Sequence, residues 1–256
     1  MILAIDVGNT NIVLGCIEDG KILNIVRLQT RVGETETEYA IKLRQLLDFY
    51  GVDPRGFEGV ILSSVVPPVT GPLQKAVQML TGQECLLVGP GMKTGLNLRI
   101  DDPGTLAGDL LVGAVAAMNC YGYPAIVMDL GTATTITVVD KDGCFRGGAI
   151  LPGVKLGYRA LASGTSLLPD ISITPPKKSV ASNTVDCMRS GAVFGTAATM
   201  DGLIDRMEEE LGYPCRLVAT GGIAQYIIPY CKREIAYDND LLLKGLWILW
   251  EKNKKA

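Results

Sequence analysis

The 256-residue sequence predicts an α/β protein whose two halves, residues 1–115 and 116–256, repeat one supersecondary unit. Two observations predict it. First, an apolar run meets an acidic-glycine turn twice, as Ile2–Ile5 before Asp6, Gly8, Asn9 and Thr10, and as Ala125–Met128 before Asp129, Gly131, Thr132 and Thr134. Second, an Asp-Gly pair follows each turn at the same distance, so that Asp6 and Asp129, and likewise Asp19 and Asp142, stand 123 residues apart. Each segment reads as strand, turn, strand, Asp-Gly hairpin, strand.

The elements follow in order. Ile12–Cys16 and Lys21–Leu28 are strands joined through Asp19-Gly20, because Asp-Gly between apolar runs is a strong hairpin signal. Thr35–Tyr50 is a helix, with Ala40, Ile41, Leu43, Leu46 and Leu47 at helical spacing, a capping box from Thr35 to Glu38, and Gly51 as its stop. Gly59–Val65 is a strand halted by Pro67-Pro68, Val69–Leu80 a helix, Cys85–Val88 a short strand, and Gly89–Leu98 a glycine-rich loop. Leu110–Met118 is a helix of small apolar residues, fit either for an interface or for the core. Ala125–Ile150 repeats the strand–turn–hairpin unit. Helices follow at Lys155–Ala162, from Asn183, and over Thr196–Leu211 up to Gly212. Strand Arg216–Ala219 runs into Thr220-Gly221-Gly222, and an apolar helix Leu241–Trp250 closes the chain.

Composition excludes several classes. The net charge is −3 and no basic block occurs, which removes the electrostatic basis of nucleic-acid binding. No apolar run is long enough to span a bilayer, and the first one stops at Asp6 with no charged segment ahead of it, so a cytoplasmic protein is expected. Seven cysteines without a CxxC pair read as free thiols. The chain has no histidine, which rules out Ser-His-Asp and Cys-His nucleophile systems and leaves acid–base work to Asp, Glu, Lys, Tyr or Cys.

The turns carry the chemistry. Gly8 and Gly131 are expected to take positive φ and to open a nest of backbone N–H groups toward an anion. Asn9, Thr10 and Thr132 add neutral donors. A carboxylate beside a phosphate requires a cation between them, and Asp6 and Asp129 therefore suggest Mg²⁺ shared with phosphate oxygens. Asp109 sits near the start of a helix, where it either answers the macrodipole or serves as a base. Gly221-Gly222 is either a sharp turn or a surface for a nucleotide's sugar and base.

In their order and spacing, Asp6-Val7-Gly8-Asn9-Thr10-Asn11, Ser63-Ser64-Val65-Val66-Pro67, Asp129-Leu130-Gly131-Thr132-Ala133-Thr134, Gly147-Gly148-Ala149-Ile150, Asn183-Thr184 and Thr220-Gly221-Gly222 resemble type III pantothenate kinases, within the acetate kinase, sugar kinase, Hsp70 and actin superfamily. The resemblance implies two actin-like (ribonuclease H-like) halves with a nucleotide cleft between them. It also implies phosphorylation of pantothenate by ATP to 4′-phosphopantothenate, the first step towards coenzyme A, by a cytoplasmic homodimer using Mg²⁺ and a monovalent cation, K⁺ or NH₄⁺. By position, Asp6, Val7, Gly8, Asn9, Thr10, Asn11, Ile12 and Val13 match the first ATP-phosphate motif, and Thr132 matches a second phosphate contact. Asp129 matches the monovalent-cation ligand, Thr184 a pantothenate contact, and Asp109 the proton acceptor.

The acid-binding side departs from the pattern. The family's Gly-Ala-Asp-Arg reads Ala107-Gly108-Asp109-Leu110 here, and Ile100 stands where the family has a substrate-touching tyrosine. Leucine offers a carboxylate nothing, whereas arginine is its natural bidentate partner. Three readings follow: a pantothenate kinase whose carboxylate partner is Arg99, Lys155 or Arg159; a kinase for a related alcohol without a carboxylate; and a non-catalytic, nucleotide-sensing paralogue.

Overall fold

The computed structural model describes residues 1–254, and its contacts divide them into two compact units. The first comprises Met1–Gly95, Asp102–Ala116 and the segment from Asp240 onward. Its sheet has the order β3-β2-β1-β4-β5, built from β1 (Ile2–Val7), β2 (Asn11–Glu18), β3 (Lys21–Gln29), β4 (Gly59–Ser64) and β5 (Cys85–Leu87). β1 runs antiparallel to β2 and parallel to β4. Both faces of the central strand are covered, which is why Ile2 to Ile5 form an unbroken apolar run rather than an alternating one. Helix α1 (Glu36–Phe49) carries the expected capping box: the Glu38 amide donates to Thr35 Oγ1 at 3.3 Å and the Thr35 amide to Glu38 Oε2 at 2.7 Å. Helix α2 (Pro67–Thr81) begins at the two prolines themselves, which suit the first turn because its N–H groups have no partner within the helix.

The remaining helices of this unit are α3 (Gly108–Cys120), whose residues up to Ala116 belong here, and the final helix of the chain, Leu241–Asn253. Leu111 to Ala117 are all buried, so this stretch of α3 is core. Two glycines let the final helix approach. A Cβ on Gly59 would fall 1.9 Å from the Trp250 ring, and one on Gly245 2.3 Å from the Val112 carbonyl oxygen.

The second unit holds Leu96–Asp101 and Ala117–Asn239. Its sheet has the order β11-β10-β7-β8-β9-β6, from β6 (Asn97–Leu98), β7 (Ala125–Leu130), β8 (Ala133–Val139), β9 (Cys144–Pro152), β10 (Arg216–Thr220) and β11 (Ala236–Tyr237). The short strand β6, read from sequence as loop, adds to β9 in parallel. Helix α4 (Val154–Gly164) follows β9. Helix α5 (Thr184–Ser190) passes through a π-type turn, Gly191–Gly195, into α6 (Thr196–Leu211), so two expected helices form one helical run. A short helix α7 (Ala224–Ile227) follows β10, and the final helix is α8. Dividing the chain once at 115/116 would assign α8 to the second half. The contacts assign it to the first, because its apolar side meets β1, β2 and β4.

The repeat is present in both sheets, but its constant spacing conceals a compensated slip. Four residues separate the paired Val7 and Ile12, whereas three separate Leu130 and Thr134. The hairpin restores the count, with four residues between the paired Ile17 and Ile22 and five between Val139 and Phe145. The two Asp-Gly pairs therefore make different turns. Asp19 and Gly20 both take positive φ (49° and 76°), as a two-residue primed turn requires, while Gly143 (72°) does so without Asp142. In the longer hairpin Asp140 Oδ1 accepts from the Asp142 and Cys144 amides, both at 2.9 Å.

Candidate active site

Asp6, one residue before the end of β1, leads into a turn that closes on itself. The Gly8 amide donates to the Asn11 carbonyl at 3.0 Å. Thr30, just past β3, clamps the turn twice: its hydroxyl donates to the Gly8 carbonyl at 2.6 Å and its amide to the Thr10 carbonyl at 3.0 Å. In the second unit the Gly131 amide donates to the Ala133 carbonyl at 3.0 Å. Neither Gly8 nor Gly131 takes the expected positive φ. At Gly8 the value of glycine is space, since a Cβ would stand a tight 3.3 Å from the Asn11 carbonyl oxygen, whereas at Gly131 a Cβ would make ordinary contacts of 3.5 Å with the Ala133 carbonyl oxygen and Asp129 Oδ1. Each glycine N–H is thus used inside its own turn, and a phosphate has to be met by the other groups. Of the expected contact residues in the first turn, Asn9, Thr10 and Asn11 are exposed, while Val7 and Ile12 put their side chains into the core and leave only backbone for a ligand.

The second turn is held by two glycines. A Cβ on Gly153, the residue before α4, would lie 2.1 Å from the Thr132 carbonyl oxygen and 2.6 Å from that of Gly131. A Cβ on Gly221 (φ 92°) would lie 2.7 Å from both Asp129 Oδ1 and the Leu130 carbonyl oxygen. A carboxylate and a backbone carbonyl therefore converge beside Gly221. Such an all-oxygen donor set suits a hard cation and gives no foothold to a softer metal. Among the described residues no group of three or more His, Cys, Asp or Glu side chains gathers.

Asp109 occupies the first turn of α3 and is partly buried. Burial pushes its carboxyl above the usual carboxylate range, opposed by hydrogen bonds from the helix's own first amides, including that of Leu110 at 2.8 Å. The turn bearing Asp6 and the start of α3 are brought together by β4: Asp6 pairs in register with Ser63, and a Cβ on Gly108 would lie 3.0 Å from Ser63 Oγ. Ala107, Gly108 and Leu110 share this neighbourhood in the first unit. Ile100 belongs to the second unit, where its Cγ2 lies 3.7 Å from the position a Gly147 Cβ would take. Thr184 is exposed at the first position of α5, behind the capping Asn183, whose Oδ1 accepts from the Asp186 amide at 3.0 Å. Gly222 is exposed beside Gly221.

Sequence reading missed Thr30 and Gly153 as parts of the two turns. Thr30 lies 22 residues from the carbonyl it clamps, and only the β2–β3 pairing reveals it. Gly153 was visible within a glycine-dense stretch, but what it touches was not.

Comparison with known proteins identifies the family. Residues 2–206 match the family model described as type III pantothenate kinase. The type III pantothenate kinase of Halalkalibacterium halodurans is 41% identical over 253 residues, covering 99% of this chain and 100% of that protein. Among solved structures, the chain resembles an inorganic polyphosphate/ATP-glucomannokinase from Arthrobacter sp. strain KM, at 15% identity and TM-score 0.53 over 98% of this chain and 99% of that one. It also resembles component A of the (R)-2-hydroxyglutaryl-CoA dehydratase of Acidaminococcus fermentans, at 14% identity and TM-score 0.57 over 96% and 94%. These two likenesses concern fold alone, and they agree with the expected actin-like α/β architecture. From the residues matched and the full-length identity, the chain belongs to the type III pantothenate kinase family.

Proposed function

We propose that this protein phosphorylates pantothenate with ATP to give 4′-phosphopantothenate, opening coenzyme A synthesis. The observation that carries the proposal is the full-length relationship to a type III pantothenate kinase, together with retention of Asp109 in the helix start that packs on β4, the strand paired with the one that bears Asp6. In this reading the first turn, Asp6 to Val13, and Thr132 bind the phosphates of ATP, and Gly221-Gly222 receives its nucleoside. Asp6 holds Mg²⁺, which neutralises charge on the transferring phosphoryl group. Asp129, with the Leu130 carbonyl, holds the monovalent cation, K⁺ or NH₄⁺. Asp109 accepts the proton of the attacking primary hydroxyl. A base held high by burial gains proton affinity as long as it is ionised at working pH. Ile100, Ala107, Gly108, Leu110 and Thr184 contact pantothenate, and Arg99, Lys155 and Arg159 are the cations available to its carboxylate.

The protein acts in this reading as a cytoplasmic homodimer. No helix among the described residues is long and apolar enough to cross a membrane. Since Leu111 to Ala117 of α3 are buried, the dimer surface is assigned to the exposed apolar residues of the second unit, Ile150, Leu156, Leu161 and Leu167.

The test is an ATP-dependent phosphorylation assay with pantothenate and with a neutral pantothenamide. Turnover of pantothenate supports the function. Turnover of the amide alone would replace it with a kinase for carboxylate-free alcohols, and ATP binding without turnover of either would leave a nucleotide-binding paralogue.

A further inference from the structure

Two adjacent serines end β4, and their situations differ. Ser64 is fully engaged: its Oγ accepts from the Val66 amide at 3.1 Å and from the Thr70 hydroxyl at 2.8 Å, holding the entry to α2. Ser63 is completely buried, and its Oγ has no hydrogen-bond partner. A buried hydroxyl without a partner lowers stability, and a chain has no structural reason to keep serine there when alanine would fit the same space. The hydroxyl is not lost in an apolar cluster. Its strand neighbour is Asp6, and it points at Gly108, the first residue of α3, where a Cβ would come within 3.0 Å of it. Glycine at 108 leaves that hydroxyl room against the helix's first turn, whose second residue is Asp109.

We propose that Ser63 is a positioning residue for the general base, its hydroxyl donating to the Asp109 carboxylate in the reacting enzyme. The proposal rests on the assignment of Asp109 as proton acceptor. In the resting geometry the carboxylate is bound to the amides of its own turn, which hold it against the helix start. Reaching a substrate hydroxyl turns one oxygen away from those amides, and the Ser63 hydroxyl stands against the same turn to replace them. Catalytic hydrogen bonds of this kind are commonly long or unmade until substrate arrives. The cost of an unpartnered hydroxyl in the resting protein is then offset during turnover, a stability sacrifice typical of working sites.

The test is a double-mutant cycle of Ser63→Ala and Asp109→Asn in the full-length protein, read by kcat, by KM for ATP and by thermal melting. Ser63→Ala is expected to melt at or above the wild-type temperature and to lose kcat by roughly 10-fold or more, part of the ~10²–10⁴-fold that a positioned base supplies. Its KM for ATP is expected to stay within about twofold, since no ATP contact is assigned to Ser63. In the Asp109→Asn background, Ser63→Ala is expected to cause no further loss. Wild-type kcat in Ser63→Ala, losses that multiply across the cycle, or a lowered melting temperature would each overturn the proposal. Near-normal turnover in Asp109→Asn alone would instead remove Asp109 as the base, and Ser63's role with it.

Discussion

Gly153→Ala is a small substitution with a large expected effect. Its Cβ would be placed 2.1 Å from the Thr132 carbonyl oxygen and 2.6 Å from that of Gly131. A relaxed carbon–oxygen contact needs roughly 3.3 Å or more, the distance of weak C–H···O contacts. The second turn must therefore retreat by about 1 Å, because the opposing atoms are backbone and cannot swing aside as a side-chain tip could. Overpacking of this kind typically costs ~1–3 kcal/mol. At about 2–4 °C per kcal/mol for a chain of this size, melting should fall by roughly 2–12 °C. The functional effect should be larger, since a 1 Å misplacement of a positioning group can cost ~10²-fold. The control lies on α4, which Gly153 precedes: a Cβ at Gly157 meets nothing within 4 Å. Gly157→Ala should raise stability by about 0.4–1 kcal/mol and leave turnover unchanged. The assay is kcat and KM for ATP beside thermal melting of both variants. Wild-type kinetics in Gly153→Ala would refute the argument that this turn positions ATP.

Other outcomes follow from the same geometry. Asp109→Asn should lower transfer by ~10²–10⁴-fold while ATP still binds; because burial makes ionisation of Asp109 costly, the variant should be no less stable than wild type near neutral pH, as equilibrium unfolding would report. The raised carboxyl binds its proton more tightly in the folded state, so its contribution to stability declines as pH rises through the carboxylate range, and the acid limb of kcat/KM should lie above that of an ordinary aspartate. If no other cation compensates for Leu110, Leu110→Arg should lower KM for pantothenate several-fold with little effect on ATP, since a charged hydrogen-bond partner is worth ~1.5–3 kcal/mol, and Ile100→Tyr should be measured alone and in combination. A tight wild-type KM that Leu110→Arg worsens would direct attention to Arg99, Lys155 and Arg159. Sedimentation at micromolar concentration should show a dimer, and Leu156→Glu should dissociate it; a monomer-mass species in the wild type would count against the assigned surface.

What the sequence by itself determined was the local physics. Ile2–Val7 and Ala125–Leu130 are strands because their apolar runs stop at acidic-glycine turns, and α1 starts at Thr35 because Thr35 and Glu38 cap each other across three residues. The residue types of the site, an aspartate at each turn and Asp109 at a helix start, were equally legible, since each depends only on neighbours in the chain. Tertiary structure decided whatever depends on contact between distant segments. The slip concealed in the 123-residue repeat requires strand partners, and α8 joins the first unit because the face it covers belongs to β1, β2 and β4. Gly8 and Gly131 were expected to be glycine for positive φ; neither takes it, and Gly8 is crowded instead by the Asn11 carbonyl oxygen, whose place is fixed by how its turn closes. Ser63 was one letter of a motif until burial without a partner distinguished it from Ser64. Propensity and capping act over three or four residues, whereas steric exclusion and desolvation act only once the chain has folded back on itself.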